Sequence, residues 1–195
     1  EEISRHVFGM ALIATALRLD VDSRLAALLF AAHQYFDDAK ERIKQECGED
    51  VSNLVDGLRR LNGLRLVAQT PASSLHDVRT QPEILRKMML AMVEDIRVVL
   101  LRLASRTQTL RYYTEYPGPS RIETARESMD IYAPLANRLG VWELKWELED
   151  LSFRLLDPDT YRQIARQLDE KRSERERFIS EAIATLKSEF DAAGV

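Results

Sequence analysis

Apolar side chains recur three and four positions apart along most of this chain, and only 7 glycines and 6 prolines interrupt its 195 residues. A sandwich or barrel needs a turn signal roughly every 8–12 residues, and so few turn-formers cannot supply them. The spacing instead matches the period of an amphipathic helix. The sequence therefore predicts an all-α protein. With 45% hydrophobic and 31% charged residues it has the apolar content to bury a core.

The pattern divides into segments. Val7, Met10, Ala11, Ile13, Ala14 and Leu17 form a first helical stripe, and Asp22 or Ser23 is placed to cap a second helix. Leu25 to Ala32 is apolar at every position, which predicts a central helix buried on all sides. Asp37 and Asp38 are candidate caps for a helix over 39–47, with Gly48 as its stop. Val51, Leu54, Val55, Leu58 and Leu61 form the next stripe. Residues 68–81 read as a loop around Pro71, and Pro82 opens a long helix or helix pair reaching about Leu110, with Met88, Met89 and Met92 as packing residues.

Tyr116-Pro117-Gly118-Pro119 breaks the pattern, and Ser120 with Glu123 predicts a capping box. The helix that follows runs towards Leu139 and Gly140, with a kink expected near Ala133 because Pro134 lies inside it. Residues 142–156 are amphipathic, and Asp157-Pro158 is a cap followed by a proline suited to a first helical turn. A last segment alternates charge through residues 171–177 while Phe178, Ile179, Ile183, Leu186 and Phe190 keep a helical stripe.

Several functions are disfavoured at this level. A net charge of −4 gives no basic field for nucleic acid. One cysteine, Cys47, rules out an internal disulfide and a thiolate zinc cluster. No apolar run approaches the ~20 residues of a membrane span, and no secretory leader is visible, so a cytoplasmic protein is expected. Glu1 is not a start methionine, so the sequence is read as open at that end. No glycine-rich phosphate loop occurs. Of the three histidines, His33 and Asp37 stand one helical turn apart and form the best local metal candidate, although a surface pair is the plainer reading. His6 opens the helix that leads into the apolar run.

Longer stretches resemble a known family, the RelA/SpoT alarmone enzymes. The resemblance is carried by residues 86–92 (RKMMLAM), 95–98 (DIRV), Leu103-Ala104, 131–140 (IYAPLANRLG) and 145–150 (KWELED), with 26–29 (AALL) and 55–57 (VDG) upstream in the right order. It implies an all-α bundle of the HD-domain type that in active members uses manganese to remove the 3′-pyrophosphate from guanosine tetra- and pentaphosphate. It also implies a synthetase domain downstream that works with magnesium. On this reading 1–195 is one HD-type domain, with most of 1–156 as its core and 157–195 as C-terminal helices leading to the synthetase.

Carried over position by position, the resemblance implies a silenced site. His6 matches a metal-binding histidine. Phe30 and Ala31 stand where active members have the His-Asp dyad, and Gln34 and Tyr35 where they have the acidic pair that activates water. Ser105 replaces the last metal-binding Asp, Gln108 a His, Thr109 a nucleotide-contacting Asn, and Asn137 a His. Hydrocarbon and neutral hydroxyl groups cannot anchor a divalent cation. Without a cation nothing lowers the pKa of water, and Gln34 cannot take up its proton. The expectation is therefore no catalytic residue, no metal and no cofactor in this chain, with Phe30 and Tyr35 refilling the old cavity.

This pattern resembles the RelA branch, synthetase-only members that transfer pyrophosphate from ATP to GTP or GDP on stalled ribosomes. The resemblance implies a regulatory contact with the downstream synthetase, ribosome association through the parent protein, and neither membrane nor direct nucleic-acid contact. Two alternatives stay open: residual manganese-dependent hydrolysis through His6, His33 and Asp37, and a module that binds the alarmone without cleaving it.

Overall fold

The computed structural model describes residues 2–68 and 95–193, and all regular structure among them is helical. The order is α1 (Glu2–Ala16), α2 (Val21–Leu29), a 3₁₀ turn (Ala32–Gln34), α3 (Ala39–Cys47), α4 (Glu49–Ala68), α5 (Ile96–Glu115), α6 (Arg121–Glu127), a π-helical turn (Ser128–Tyr132), α7 (Ala133–Arg138), α8 (Trp142–Leu156) and α9 (Pro158–Ala193). The all-α expectation holds. Two compact units result, Glu1–Leu156 and Asp157–Val195.

In the first unit the central element is α5, which packs against α1, α2, α4, α6 and α8. Ten of its residues are buried, among them Val99, Leu101, Leu103 and Leu110. Each such leucine contributes about 1.5–3 kcal/mol of hydrophobic stabilisation. This corrects the reading of Leu25–Ala32 as the central helix. Only Ala26, Ala27 and Ala31 of that run are buried, Leu28 is 37% exposed, and the helix ends at Leu29. An unbroken apolar run shows which residues can be buried, but neighbouring elements decide how many faces are covered. The Val51, Leu54, Val55, Leu58 and Leu61 stripe is buried as expected.

The termini of the helices differ from the sequence reading in detail. Asp20, not Asp22 or Ser23, caps α2, its Oδ1 accepting from the Ser23 amide at 2.8 Å. Asp38 precedes α3 but makes no capping bond, and instead holds Arg42 at 2.9 Å. Ser120 likewise stands at the start of α6 without a side-chain cap, so the expected capping box is not formed on its side. Gly48, at φ +97°, follows α3 as predicted. Gly140, at φ +74°, closes α7 with paired bonds from Gly140 N to the Asn137 carbonyl and from Val141 N to the Ala136 carbonyl. At the end of α1 the same double bond is made with Arg18 in the left-handed region, at φ +56°.

Pro134 acts where expected, and through a π-helical turn. A proline has no N–H and its ring crowds the carbonyl four residues earlier, so the chain widens over Ser128–Tyr132, with the Ala133 amide bonding the Ser128 carbonyl. Of the predicted loop over 68–81, Ala68 closes α4, and the rest lies outside the described residues, as do Pro82 and the three methionines. The helix expected to reach about Leu110 continues to Glu115.

The second unit is a single helix. Asp157 caps it through the Thr160 amide at 3.1 Å, and Pro158 takes its first position. Its charges pair one turn apart, Arg172 with Glu176 at 2.9 Å and Arg177 with Glu181 at 3.7 Å.

Candidate functional site

Three elements carry the positions that the resemblance singles out around His6. Helix α1 carries His6, the end of α2 carries Phe30 and Ala31, and α5 carries Ser105, Gln108 and Thr109. The half-buried His6 ring reaches across to Ser105, with Nε2 and Oγ 3.0 Å apart. Phe30 closes one side, its ring centroid 6.1 Å from that of His6. Ala31, next in the chain, is buried. Thr109 donates its hydroxyl to the Ser105 backbone carbonyl at 2.9 Å, one turn back on α5.

The other carried-over positions, Gln34, Tyr35 and Asn137, are exposed. Gln34 is exposed in the 3₁₀ turn, and Tyr35 just beyond it is 64% exposed. Tyr35 therefore does not fill the pocket as predicted; the chain leaves α2 at Leu29, and the turn directs that side chain to solvent. Phe30 alone packs against the core. Asn137 is exposed at the end of α7. The His33–Asp37 pairing rests on a helix that is not there. His33 lies in the 3₁₀ turn with its Nδ1 buried and unpartnered, and Asp37 is exposed in the turn before α3. The sequence also holds an adjacent pair, His76-Asp77, outside the described residues.

The His6 imidazole is disfavoured from taking up a proton: burial lowers its pKa, the neighbouring Arg102 guanidinium lowers it further, and Glu2 acts in the opposite sense. Among the described residues no three His, Cys, Asp or Glu side chains converge on one point. His6 with Ser105 offers one imidazole nitrogen and one neutral hydroxyl, which does not fit the three or four donors a catalytic divalent cation requires.

Beside His6 opens a cleft of about 240 Å³, lined by Glu2, Arg5, His6, Gln108, Tyr112 and Tyr113 among others. Gly9 leaves room for Gln108: a Cβ there would lie 2.2 Å from that side chain. Arg5 donates to the Tyr116 hydroxyl at 2.9 Å and lies 5.3 Å over its ring. Sequence reasoning missed this aromatic wall. Its signal was the i, i+1, i+4 spacing of Tyr112, Tyr113 and Tyr116. It also missed a buried cluster behind the site, Arg102 and Arg106 on α5 against Tyr132 and Glu127. Two arginines one turn apart inside an apolar stripe were the cue.

Residues 1–142 match the family described as HD domain. The chain is 40% identical over 186 residues to a GTP pyrophosphokinase of Escherichia coli, a match that takes in 95% of this chain and 25% of that protein. It is 36% identical over 193 residues to a guanosine-3′,5′-bis(diphosphate) 3′-pyrophosphohydrolase of Haemophilus influenzae, covering 97% of this chain and 27% of the relative. A probable enzyme of the same hydrolase name from Synechocystis is 42% identical over 140 residues, 72% of this chain and 17% of its own length. The chain thus spans about a quarter or less of the curated relatives it matches. The resemblance to RelA/SpoT proteins is borne out, and relatives named for synthesis and for hydrolysis both appear. No helix among the described residues is long and apolar enough to cross a membrane.

Proposed function

This chain belongs to the HD-domain family, and on that premise we propose that it is a hydrolase-like domain without hydrolase chemistry. Its role is to regulate a guanosine tetra- and pentaphosphate synthetase carried by a longer, cytoplasmic protein. The observation that carries the reading is the donor set at His6. Among the described residues, the side chains that meet the His6 ring directly include Phe30 and Ser105, a hydrocarbon surface and one hydroxyl. Manganese, which the active relatives would hold at this place, would meet one imidazole and one neutral hydroxyl among the described residues. Gln34 offers no basic group, and its turn holds it at the surface.

A domain kept without chemistry acts through contact. The similarity to GTP pyrophosphokinases supports a downstream synthetase as that contact; magnesium use there and a meeting with the ribosome through the whole protein belong to the same proposal. Calorimetric titration with manganese and an assay for pyrophosphate release from guanosine tetraphosphate test the reading. Neither binding nor release is expected from this chain, and turnover abolished by His6→Ala would defeat it.

A second reading draws on the cleft beside His6, whose aromatic and polar lining suits a nucleotide held without cleavage. Equilibrium dialysis with labelled guanosine tetraphosphate separates the two, since submicromolar binding without hydrolysis favours sensing over pure scaffolding.

A further inference from the structure

Helix α9 forms the second unit by itself, so no other element of that unit covers its apolar stripe. Phe178, Ile179, Ile183, Leu186 and Phe190 lie along its C-terminal half, Ile183 the least exposed at 49% and Phe178 the most at 71%. A lone helix draws most of its stability from packing an apolar face, so a stripe this open is half of an interface.

The spacing of the stripe says what fits it. Ile179, Ile183, Leu186 and Phe190 stand four, three and four residues apart, the alternation that holds a seam on one face of a paired helix. Those gaps read the same from either end. A copy of the helix laid antiparallel, centred between Ile183 and Leu186, therefore sets Ile179 against Phe190 and Ile183 against Leu186 of the second copy, twice each. All four layers are apolar. The edges bring Ala182 beside Glu189 and Ser180 beside Lys187, with no like charges opposed. Upstream, the same spacing reaches Glu176 and Arg172, which pair with each other at 2.9 Å. A parallel copy in register sets Glu176 against Glu176 and Arg172 against Arg172, and like charges repel. The antiparallel copy leaves both outside the apolar layers.

We propose that this stripe is a self-association surface, through which two copies of the chain pair by antiparallel α9 helices over residues 178–190. Each of the five side chains exposes roughly 100 Å², about half of what a large apolar side chain buries. Two copies thus remove on the order of 1,000 Å² from water, the lower bound for a specific interface. Association at that size is weak, with a Kd of about 10–100 μM. A lipid surface fits less well, because the polar face carries both signs, Arg177 pairing with Glu181, rather than the basic excess that anionic lipid selects. The inference is independent of the silenced-site reading, since no residue around His6 takes part.

Sedimentation equilibrium of the 195-residue chain between about 1 and 300 μM tests the proposal. A rise from the mass of one chain towards twice that mass is expected. Ile183→Glu changes a side chain that is half exposed in the single chain, so the fold survives it. It enters a two-fold interface twice and is expected to weaken association about a hundredfold or more. Orientation is read from one nitroxide at Arg175→Cys in a Cys47→Ser background. Antiparallel copies hold the two labels about 30 Å apart, from about 19 residues of axial rise, and parallel copies hold them within about 20 Å. A dimer indifferent to Ile183→Glu, or labels at the shorter distance, overturns the proposal. So does a chain that stays monomeric throughout, which would assign the stripe to a segment of a longer protein instead.

Discussion

Asp20 ties the start of α2 to the start of α5 by two separable interactions, and two substitutions resolve them. Its Oδ1 accepts from the Ser23 amide at 2.8 Å, while its Oδ2 meets Arg97 Nη1 at 2.5 Å. Arg97 in turn grips Asp95, the cap of α5. The hydrogen bonds from Ser23, and after them Arg97, hold the Asp20 carboxyl at about 2, against an ordinary 3.8. At roughly 1.36 kcal/mol per pH unit this sets a ceiling of about 2.4 kcal/mol. The carboxylate is 48% exposed, so solvent screening reduces the realised figure to about 1 kcal/mol. Asp20→Asn keeps a capping oxygen and loses the charge; Asp20→Ala loses the cap as well, at about 1 kcal/mol more. Because the folded carboxyl has the lower pKa, its stabilisation is complete above pH 3.8 and is lost as pH falls through about 2. Urea unfolding at pH 7 should therefore rank wild type above Asn above Ala, and the gap between wild type and Asn should close towards pH 2. A wild-type advantage over Asp20→Asn that is undiminished at pH 2 would refute the electrostatic account.

Two further outcomes follow from local geometry. His6 is depressed by burial and by Arg102, so the unfolded chain takes up its proton first; stability is full above pH 6.5 and falls below it. His6→Asn should remove that part of the acid sensitivity, read as a smaller change in urea midpoint between pH 7.5 and 5 than in wild type. Arg18 holds a left-handed conformation at φ +56° that a Cβ disfavours, so Arg18→Gly should raise stability by about 0.5–1 kcal/mol in thermal or urea unfolding.

The sequence by itself determined the fold class and much of the segmentation. Helical spacing, the Tyr116–Pro119 break, the Asp157-Pro158 cap and the stops at Gly48 and Gly140 are local properties, set by φ preference and by apolar periodicity. That Phe30 and Ala31 offer no side-chain lone pair was legible too, because it is a fact of composition at a position. Tertiary structure alone decided which helix is central, because burial on all sides depends on neighbours that the run Leu25–Ala32 does not specify and α5 does have. It decided that Tyr35 faces solvent and that His33 and Asp37 share no helical face, since both depend on the chain leaving α2 at Leu29. It also brought Arg102, Arg106, Glu127 and Tyr132 into one buried cluster, for charges distant in sequence balance only when packing removes the water between them.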